Sequence, residues 1–311
     1  MTDERDSSHA SRRRFLATTA GALGLAAGGP VGARVGPLAA AEPSRASDRA
    51  TVRDWLWIFT CVAGADNEGW GLPGPSRMTP AEGAFYLGVP NLMLIRWKEK
   101  PAIPFDPYAI SFRPLRRVVW SLVGSGGKTE ADARRHVLDV AARFPNTAGF
   151  IMDDFFQRDG SGQLSVDQLK ALRDQLVIAG RRRDLHVVLY THQLGLPVAE
   201  SLAYCDKITL WTWRSEDLEQ LEANFSRLEK LAPDHGKLLG CYMWDFGNRA
   251  PMPVARMEKQ CELGLRWLEE GRIEGIVFLA NTVADLDLEA VEWTRQWIAA
   301  VGERKLGGRP D

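Results

Sequence analysis

Short apolar runs alternate with longer amphipathic runs along most of the 311-residue chain. Eight short runs predict strands: 55–63, 91–97, 117–123, 148–154, 185–191, 207–213, 237–245 and 274–280. Their centres are apolar at successive positions, as in 118–120 and 276–279, rather than at every second position. This pattern is typical of parallel strands that are covered on both faces of a sheet.

Several of the amphipathic runs begin with helix start signals. Ser165 opens a capping-box pattern, and Thr129 and Ser215 precede two other runs with helical spacing of apolar residues. Repeated strand–helix alternation within about 250 residues favours a single closed (β/α)8 TIM barrel over 51–303, with an open doubly wound sheet as the alternative. The proline-containing stretch 105–114 predicts only a short or irregular helix.

The first 41 residues have the features of an export signal. The sequence Ser-Arg-Arg-Arg-Phe-Leu at 11–16 precedes a weakly apolar stretch over 17–29, and alanines at 39–41 suit cleavage. This pattern resembles the twin-arginine signal, which implies delivery to the periplasm or outside by the twin-arginine translocation machinery. We therefore assign 1–41 as a cleaved signal peptide. The polar stretches 42–50 and 304–311 are predicted to be a linker and a tail.

Composition and charge indicate which classes of partner to expect for the mature chain. The full chain has a formal net charge of −1 and no basic stripe occurs outside the signal, so we expect no nucleic-acid partner. No other segment reaches the ~18 consecutive apolar residues of a membrane span, so we expect no stable membrane anchor. The four cysteines form no Cys-x-x-Cys pair, and we expect neither a cofactor nor a bound metal.

Two adjacent acids, Asp153 and Asp154, stand at the tip of the fourth predicted strand. In a barrel of this kind the catalytic groups lie at the carboxyl ends of the strands. Neighbouring carboxylates beside an apolar strand are costly unless they are paired or used, because like charges push their pKa values apart. The functional interpretation is a proton donor beside an orienting or charge-stabilising acid. The structural alternative is a loop cap beside an arginine partner.

The segment Gly149 to Phe156 resembles the adjacent-acid pair of barrel glycoside hydrolases, most of all the β-N-acetylglucosaminidases that use substrate-assisted catalysis. That resemblance implies that Asp153 orients the 2-acetamido group of the substrate and that Asp154 is the general acid. Asp245, at the end of the seventh strand, is a further candidate for stabilising the oxocarbenium-like centre or activating water.

Aromatic and polar residues near other strand ends predict a sugar site, because aromatic rings pack against the apolar faces of pyranoses. The predicted substrate-binding residues are Asp66, Glu68, Trp70, Trp97, Tyr190, His192, Trp213, Trp244 and Asn281. The alternative is that tryptophans fill the barrel, as we expect for Trp120 and Trp211. Asn281 has the alternative role of starting a loop.

The leading hypothesis is an exported glycoside hydrolase that acts on a carbohydrate by carboxylate acid–base catalysis. Two other hypotheses use the same strand ends. A divalent-metal sugar isomerase or epimerase would need about four converging ligands, for which Asp153, His192 and Asp245 are candidates. A non-catalytic carbohydrate-binding barrel would use the acids only to accept hydrogen bonds from sugar hydroxyls.

Overall fold

The computed structural model describes residues 50–123 and 130–307. The predicted signal peptide, all but the last residue of the predicted linker, the Thr129 cap and the last four residues of the predicted tail lie outside these described residues.

Eight parallel strands close into a barrel, which confirms the predicted fold and excludes the open sheet. Every strand pairs with its sequence neighbours, and the first also pairs with the last through Leu56 and Ile276. In chain order the strands are β1 (Leu56–Thr60), β2 (Asn91–Leu94), β3 (Arg117–Ser121), β4 (Thr147–Met152), β5 (Asp184–Tyr190), β6 (Lys207–Trp211), β7 (Gly236–Tyr242) and β8 (Ile276–Leu279).

Helices surround the barrel on its outer side. Among the described residues the α-helices are α1 (Pro80–Leu87), α2 (Asp106–Ser111), α3 (Ala131–Arg143), α4 (Val166–Asp174), α5 (Ala199–Leu202), α6 (Leu221–Leu231), α7 (Val254–Glu269), α8 (Asn281–Ala284) and α9 (Glu289–Val301). Short 3-10 helices cover Val52–Trp55, Thr191–Gln193 and Ser215–Gln220, and two hairpins pair Val177–Ile178 with Arg181–Arg182 and Trp244–Asp245 with Ala250–Pro251. No helix in this part of the chain is long and apolar enough to cross a membrane.

Local sequence explains several of these boundaries. The side chain of Ser165 accepts a hydrogen bond from the Gln168 amide, and the Gln168 side chain accepts one from the Ser165 amide, so the predicted capping box starts α4. The predicted cap at Ser215 is different, because Ser215 is already inside a 3-10 helix and its amide donates to Asp245. The proline-containing stretch forms only the six residues of α2.

Ion pairs connect several strands at their amino-terminal ends. The Lys207 ammonium lies 3.0 Å from the carboxylate of Asp184 and 3.1 Å from that of Glu274. These residues join the starts of β5 and β6 and the residues before β8. Polar groups at this end therefore contribute to stability, while the opposite end is left for the long loops that carry chemistry in such barrels.

Candidate active site

The two adjacent acids follow β4 and both line one cavity of about 540 Å³ at the carboxyl ends of the strands. Side chains of a regular strand alternate between faces, so two neighbours cannot both face the interior. β4 ends at Met152, and in the turn that follows Asp154 has φ = 47°, a left-handed conformation that aspartate tolerates better than most residues. This turn brings the carboxyl groups of Asp153 and Asp154 to the same cavity.

Burial favours the protonated form of both acids, although by different amounts. It raises the pKa of Asp153 well above the usual range, and the neighbouring charge of Asp154 raises it further. Burial also raises the pKa of Asp154, but a hydrogen bond from Tyr190 opposes this rise. The phenol of Tyr190 donates to Asp154 Oδ1 over 2.7 Å. The different surroundings therefore move the pKa values of the two acids apart, which is an arrangement that acid–base catalysis uses.

Asp66 is a third carboxyl group on the cavity wall and comes from the loop after β1. Its side chain is buried and accepts a hydrogen bond from the hydroxyl of Thr282. Burial raises the pKa of Asp66, and the Thr282 hydrogen bond and the charge of Lys98 oppose the rise. Asp66 is close enough to Asp153 for its charge to raise the Asp153 pKa, so the site holds three electrostatically related acids.

Aromatic rings form much of the remaining cavity wall. Trp70 lies at their centre, with ring centroids 6.3 Å from Trp97, 5.8 Å from Trp213 and 5.5 Å from Phe246. Each of these four side chains lines the cavity. The lining also includes Phe59, Ile95, Phe156, Tyr190, Leu196, Trp211, Tyr242 and Leu279. Such a wall offers flat apolar surfaces with a few polar groups, which is the usual composition of a small-molecule site.

Trp211 forms the floor of the cavity and also fills the barrel, as the sequence indicated for this residue. Its ring lies 4.7 Å from that of Tyr242 and 5.3 Å from that of Phe59, centroid to centroid. The neighbouring residue on β7 is Gly240, where a Cβ atom would lie only 2.2 Å from the indole. The floor therefore depends on the absence of a side chain at this strand position.

His192 is at the rim rather than in the depth of the site. Its imidazole stacks on Tyr190 with a centroid distance of 5.4 Å and an interplanar angle of 12°. Partial burial lowers the pKa of His192, and the charge of Asp217 opposes this. The neutral imidazole is therefore favoured beside the cavity.

Asp245 does not line the cavity; instead it organises the loop after β7. Its carboxylate accepts hydrogen bonds from the amides of Ser215 and Asn248, over 3.1 and 3.0 Å, and from the Asn248 side chain over 2.8 Å. The side chain is buried. The described contacts of Asp245 are thus those of a residue that anchors a loop. The position of Asp245 at a strand end did not reveal in which direction its side chain points.

Two other predicted sugar-binding residues hold loops together. Asn281 is fully buried and exchanges hydrogen bonds with the backbone of Cys61, and it also donates to the Met78 carbonyl. The indole N–H of Trp244 donates to the carbonyl of Trp70 over 3.0 Å. Neither side chain lines the cavity, so both support the loop after β1 from behind.

Glu68 also stands apart from the cavity. Its side chain is exposed, and its carboxylate lies 3.9 Å from the ammonium of Lys98. Of the predicted residues, the structure brings together Asp66, Trp70, Trp97, Asp153, Asp154, Tyr190, His192 and Trp213.

The predicted site residues did not include several aromatic residues of the cavity wall, which are Phe59, Phe156, Tyr242 and Phe246. Tyr242 ends β7; burial raises its pKa, and the charges of Asp154 and Asp153 raise it further. Phe246 follows the buried Asp245 in the next loop. Both belong to the segment 242–246, where the sequence already showed clustered aromatic residues, but the pattern did not reveal which of them face the interior.

No three His, Cys, Asp or Glu side chains within residues 50–123 and 130–307 are grouped so as to hold a metal ion. The candidate ligands of the metal-dependent hypothesis are distributed between the cavity, its rim and the loop after β7.

Solved structures with a similar fold include two carbohydrate-related proteins. A protein from Bacteroides thetaiotaomicron assigned as an alpha-L-fucosidase matches with a TM-score of 0.55 and 11% identity, over 86% of this chain and 100% of that chain. Active domain 2 of a thermostable chitinase from Pyrococcus furiosus, studied with chito-oligosaccharides, matches with a TM-score of 0.51 and 12% identity, over 82% and 98%. No protein-family model and no curated protein matches the sequence.

These likenesses show the fold. The molecule is therefore a closed (β/α)8 barrel with an acidic, aromatic-lined cavity at the carboxyl ends of its strands.

Proposed function

We propose that the protein is a glycoside hydrolase and that Asp153 and Asp154 perform its acid–base chemistry. The observation that carries the proposal is the pair of adjacent acids with unlike surroundings inside one aromatic cavity. Two carboxyl groups that flank the scissile bond are the usual equipment of glycoside hydrolysis. The names of the similar solved structures agree with this class.

The proton resides on Asp153 in the resting enzyme under this proposal. Burial and the adjacent charge both favour its neutral form, whereas the phenol of Tyr190 stabilises the ionised form of Asp154. A general acid must hold a proton before the reaction, so Asp153 is the better donor. This assignment reverses the roles that the β-N-acetylglucosaminidase resemblance implies.

The chemistry then divides between the two acids. Asp153 transfers its proton to the glycosidic oxygen as the bond from that oxygen to the anomeric carbon breaks, and the leaving group departs as an alcohol. The carboxylate of Asp154 stabilises the positive charge that develops on the sugar ring. Water supplies the hydroxyl group and the proton that complete hydrolysis. Stacking on Trp70, Trp97 and Trp213 supports a sugar as the substrate.

Leaving-group dependence tests the roles of the acids. For glycosides with a sugar leaving group, Asp153→Asn is expected to lower kcat by roughly 10²–10⁴-fold. The loss should shrink for aryl glycosides, because a good leaving group needs little protonation. Asp154→Asn should lower turnover of both substrate types to a similar extent. Asparagine suits the left-handed backbone at position 154, which limits effects on folding.

The matched control is Asp139→Asn, which changes an exposed aspartate on α3 and should leave both rates unaltered. If the loss shrinks with aryl glycosides for Asp154→Asn instead, the two roles are exchanged. If the wild-type protein turns over no glycoside, the hydrolase proposal is wrong. Oligosaccharide binding that survives Asp154→Asn without turnover would then favour a carbohydrate-binding barrel.

We also propose that 1–41 is a twin-arginine signal and that the barrel acts in the periplasm or outside the cell. The support is the co-occurrence of the Ser-Arg-Arg-Arg-Phe-Leu sequence, the weakly apolar stretch and the alanines at 39–41. The partners under this proposal are a carbohydrate substrate and the translocation machinery.

A further inference from the structure

Trp70 lies between residues that come from opposite sides of the barrel mouth. β2 and β6 are four strands apart in the closed ring and therefore lie opposite one another. Trp97 follows β2 and Trp213 follows β6, and the ring of Trp70 contacts both. We call the row formed by Trp97, Trp70 and Trp213 the aromatic bridge. It spans the mouth from one side of the barrel to the other.

The aromatic bridge is fixed from behind by the loop after β7. The Trp244 indole donates to the carbonyl of Trp70, and the ring of Phe246 lies 5.5 Å from that of Trp70. The next residue, Gly71, has φ = 70° and would place a Cβ atom 3.0 Å from the carbonyl oxygen of Arg249. The described loops after β1 and β7 are therefore in direct contact behind the bridge.

The acids lie on the other side of this row. Asp153 and Asp154 follow β4, Tyr190 ends β5, and both strands are on the same arc between β2 and β6. Access to the acids from that arc is bordered by Gln157, Arg158 and His192, whose side chains are exposed. The same cavity also reaches Tyr242 at the end of β7 and Leu279 at the end of β8, so it can hold a sugar unit between the acids and these strands. A longer chain laid across the mouth from this side would meet the ring of Trp70.

The charged groups that line the cavity restrict which ligands it can hold. Three carboxyl groups line the cavity, from Asp66, Asp153 and Asp154, and the only Lys or Arg in the described lining is the exposed Arg158 at the rim. A carboxylate or phosphate carried into this cavity would lose its water without gaining a buried cation. The described site thus suits an uncharged sugar.

We propose that the enzyme takes the uncharged terminal unit of a glycan end-on and that Trp70 excludes chains that would cross the mouth. This inference rests on the proposed hydrolase function and specifies its substrate. Hydrolysis then releases one unit at a time from a free chain end.

Product analysis tests the proposal. A panel of neutral 4-nitrophenyl glycosides identifies the accepted sugar, and a five-unit oligosaccharide of that sugar is then tagged at its reducing end. The wild-type protein should first yield the tagged four-unit product and free monosaccharide. The same oligosaccharide with its free end capped should remain uncut. Early tagged products of two or three units would overturn the proposal while leaving the hydrolase function intact.

Trp70→Ala removes the centre of the bridge. It should raise the ratio of internal to terminal cleavage by about tenfold or more, which corresponds to the loss of one substantial steric barrier. Trp70→Phe keeps a ring and should change this ratio less. The control Trp293→Ala removes a partly buried tryptophan from α9 and should leave the ratio unchanged. A ratio that is the same in Trp70→Ala and wild-type protein would contradict the role of Trp70.

A comparison of two substrates tests whether the site requires an uncharged sugar. A uronide that differs from the accepted hexoside only by a carboxylate at C6 should show kcat/KM lower by about a hundredfold. Equal use of the two would overturn the uncharged-substrate part. Hydrolysis of uronides but of no neutral glycoside would overturn this inference and leave the hydrolase function intact. Failure to hydrolyse a glycoside of either kind would overturn both.

Discussion

At the end of β4 a single residue, Asp154, determines how two acids share the cavity. Its left-handed backbone turns the chain, and its carboxylate accepts the hydrogen bond from Tyr190. Burial and a charge from Asp154 raise the pKa of Tyr190, so the phenol stays protonated and remains a donor. Tyr190 therefore positions Asp154 and also forms part of the cavity wall.

The hydrogen bond between Tyr190 and Asp154 predicts a specific pH effect. Tyr190→Phe removes the donor that lowers the pKa of Asp154, so this pKa should rise. Because the proposed mechanism needs Asp154 ionised, activity is lost as pH falls through that pKa. The acid limb of the kcat/KM profile should therefore move to higher pH, with apparent values that belong to the coupled pair.

The control for this profile is Tyr204→Phe, which changes a partly buried phenol outside the cavity lining. Its acid limb should coincide with that of the wild-type protein. A Tyr190→Phe enzyme with reduced turnover and an unmoved acid limb would show that the phenol only supports structure or binding.

At the scale of elements, the cavity floor depends on the pairing of β6 with β7. Trp211 at the end of β6 occupies the space that a side chain at Gly240 of β7 would need. The predicted strands extended to 213 and 245, but β6 ends at Trp211 and β7 at Tyr242. Residues 212–213 form a loop and Trp244–Asp245 form a short hairpin strand, and Trp213 and Phe246 line the cavity from these segments.

Gly240→Ala should therefore destabilise the barrel. The added methyl group would overlap the Trp211 ring, and overpacking of this kind costs about 1–3 kcal/mol. The measurement is the midpoint of urea unfolding. The control Gly195→Ala adds a Cβ atom whose nearest neighbour is 3.8 Å away and should change stability by less than ~0.5 kcal/mol. Equal midpoints for the two variants would contradict the proposed packing of the floor.

At the scale of the whole molecule, the two ends of the barrel carry different kinds of interaction. Ion pairs around Lys207 hold the amino-terminal ends of strands, while the opposite ends collect acids and aromatic residues from distant parts of the chain. The twin-arginine route transports folded proteins, so a completed barrel is compatible with the proposed export signal.

The export proposal predicts that the double variant Arg12→Lys and Arg13→Lys retains an uncleaved precursor in the cytoplasm, because the translocation machinery recognises the arginine pair. Cell fractionation and immunoblotting provide the measurement, and the control is Arg34→Lys. The exported wild-type form should begin near Glu42 by amino-terminal sequencing. Normal export of the double variant would refute the twin-arginine assignment.

The sequence by itself determined the barrel and the position of the acid pair. Both follow from local patterns, since buried parallel strands require continuous apolar runs and catalytic groups of such barrels lie where those runs end. The same reasoning identified Trp70, Trp97 and Trp213 as wall candidates. The sequence could not show that these three rings contact one another across the mouth, because the contacts join loops that follow different strands.

Only the tertiary structure decided which strand-end residues face the cavity. Asn281 bonds to Cys61, which is 220 positions away in sequence, and Asp245 bonds to the amide of Ser215. A polar side chain that follows a strand satisfies the partners that folding brings beside it, whether those are substrate or backbone groups. The identity of these partners depends on long-range packing, so residue type and spacing could not distinguish a loop anchor from a site residue.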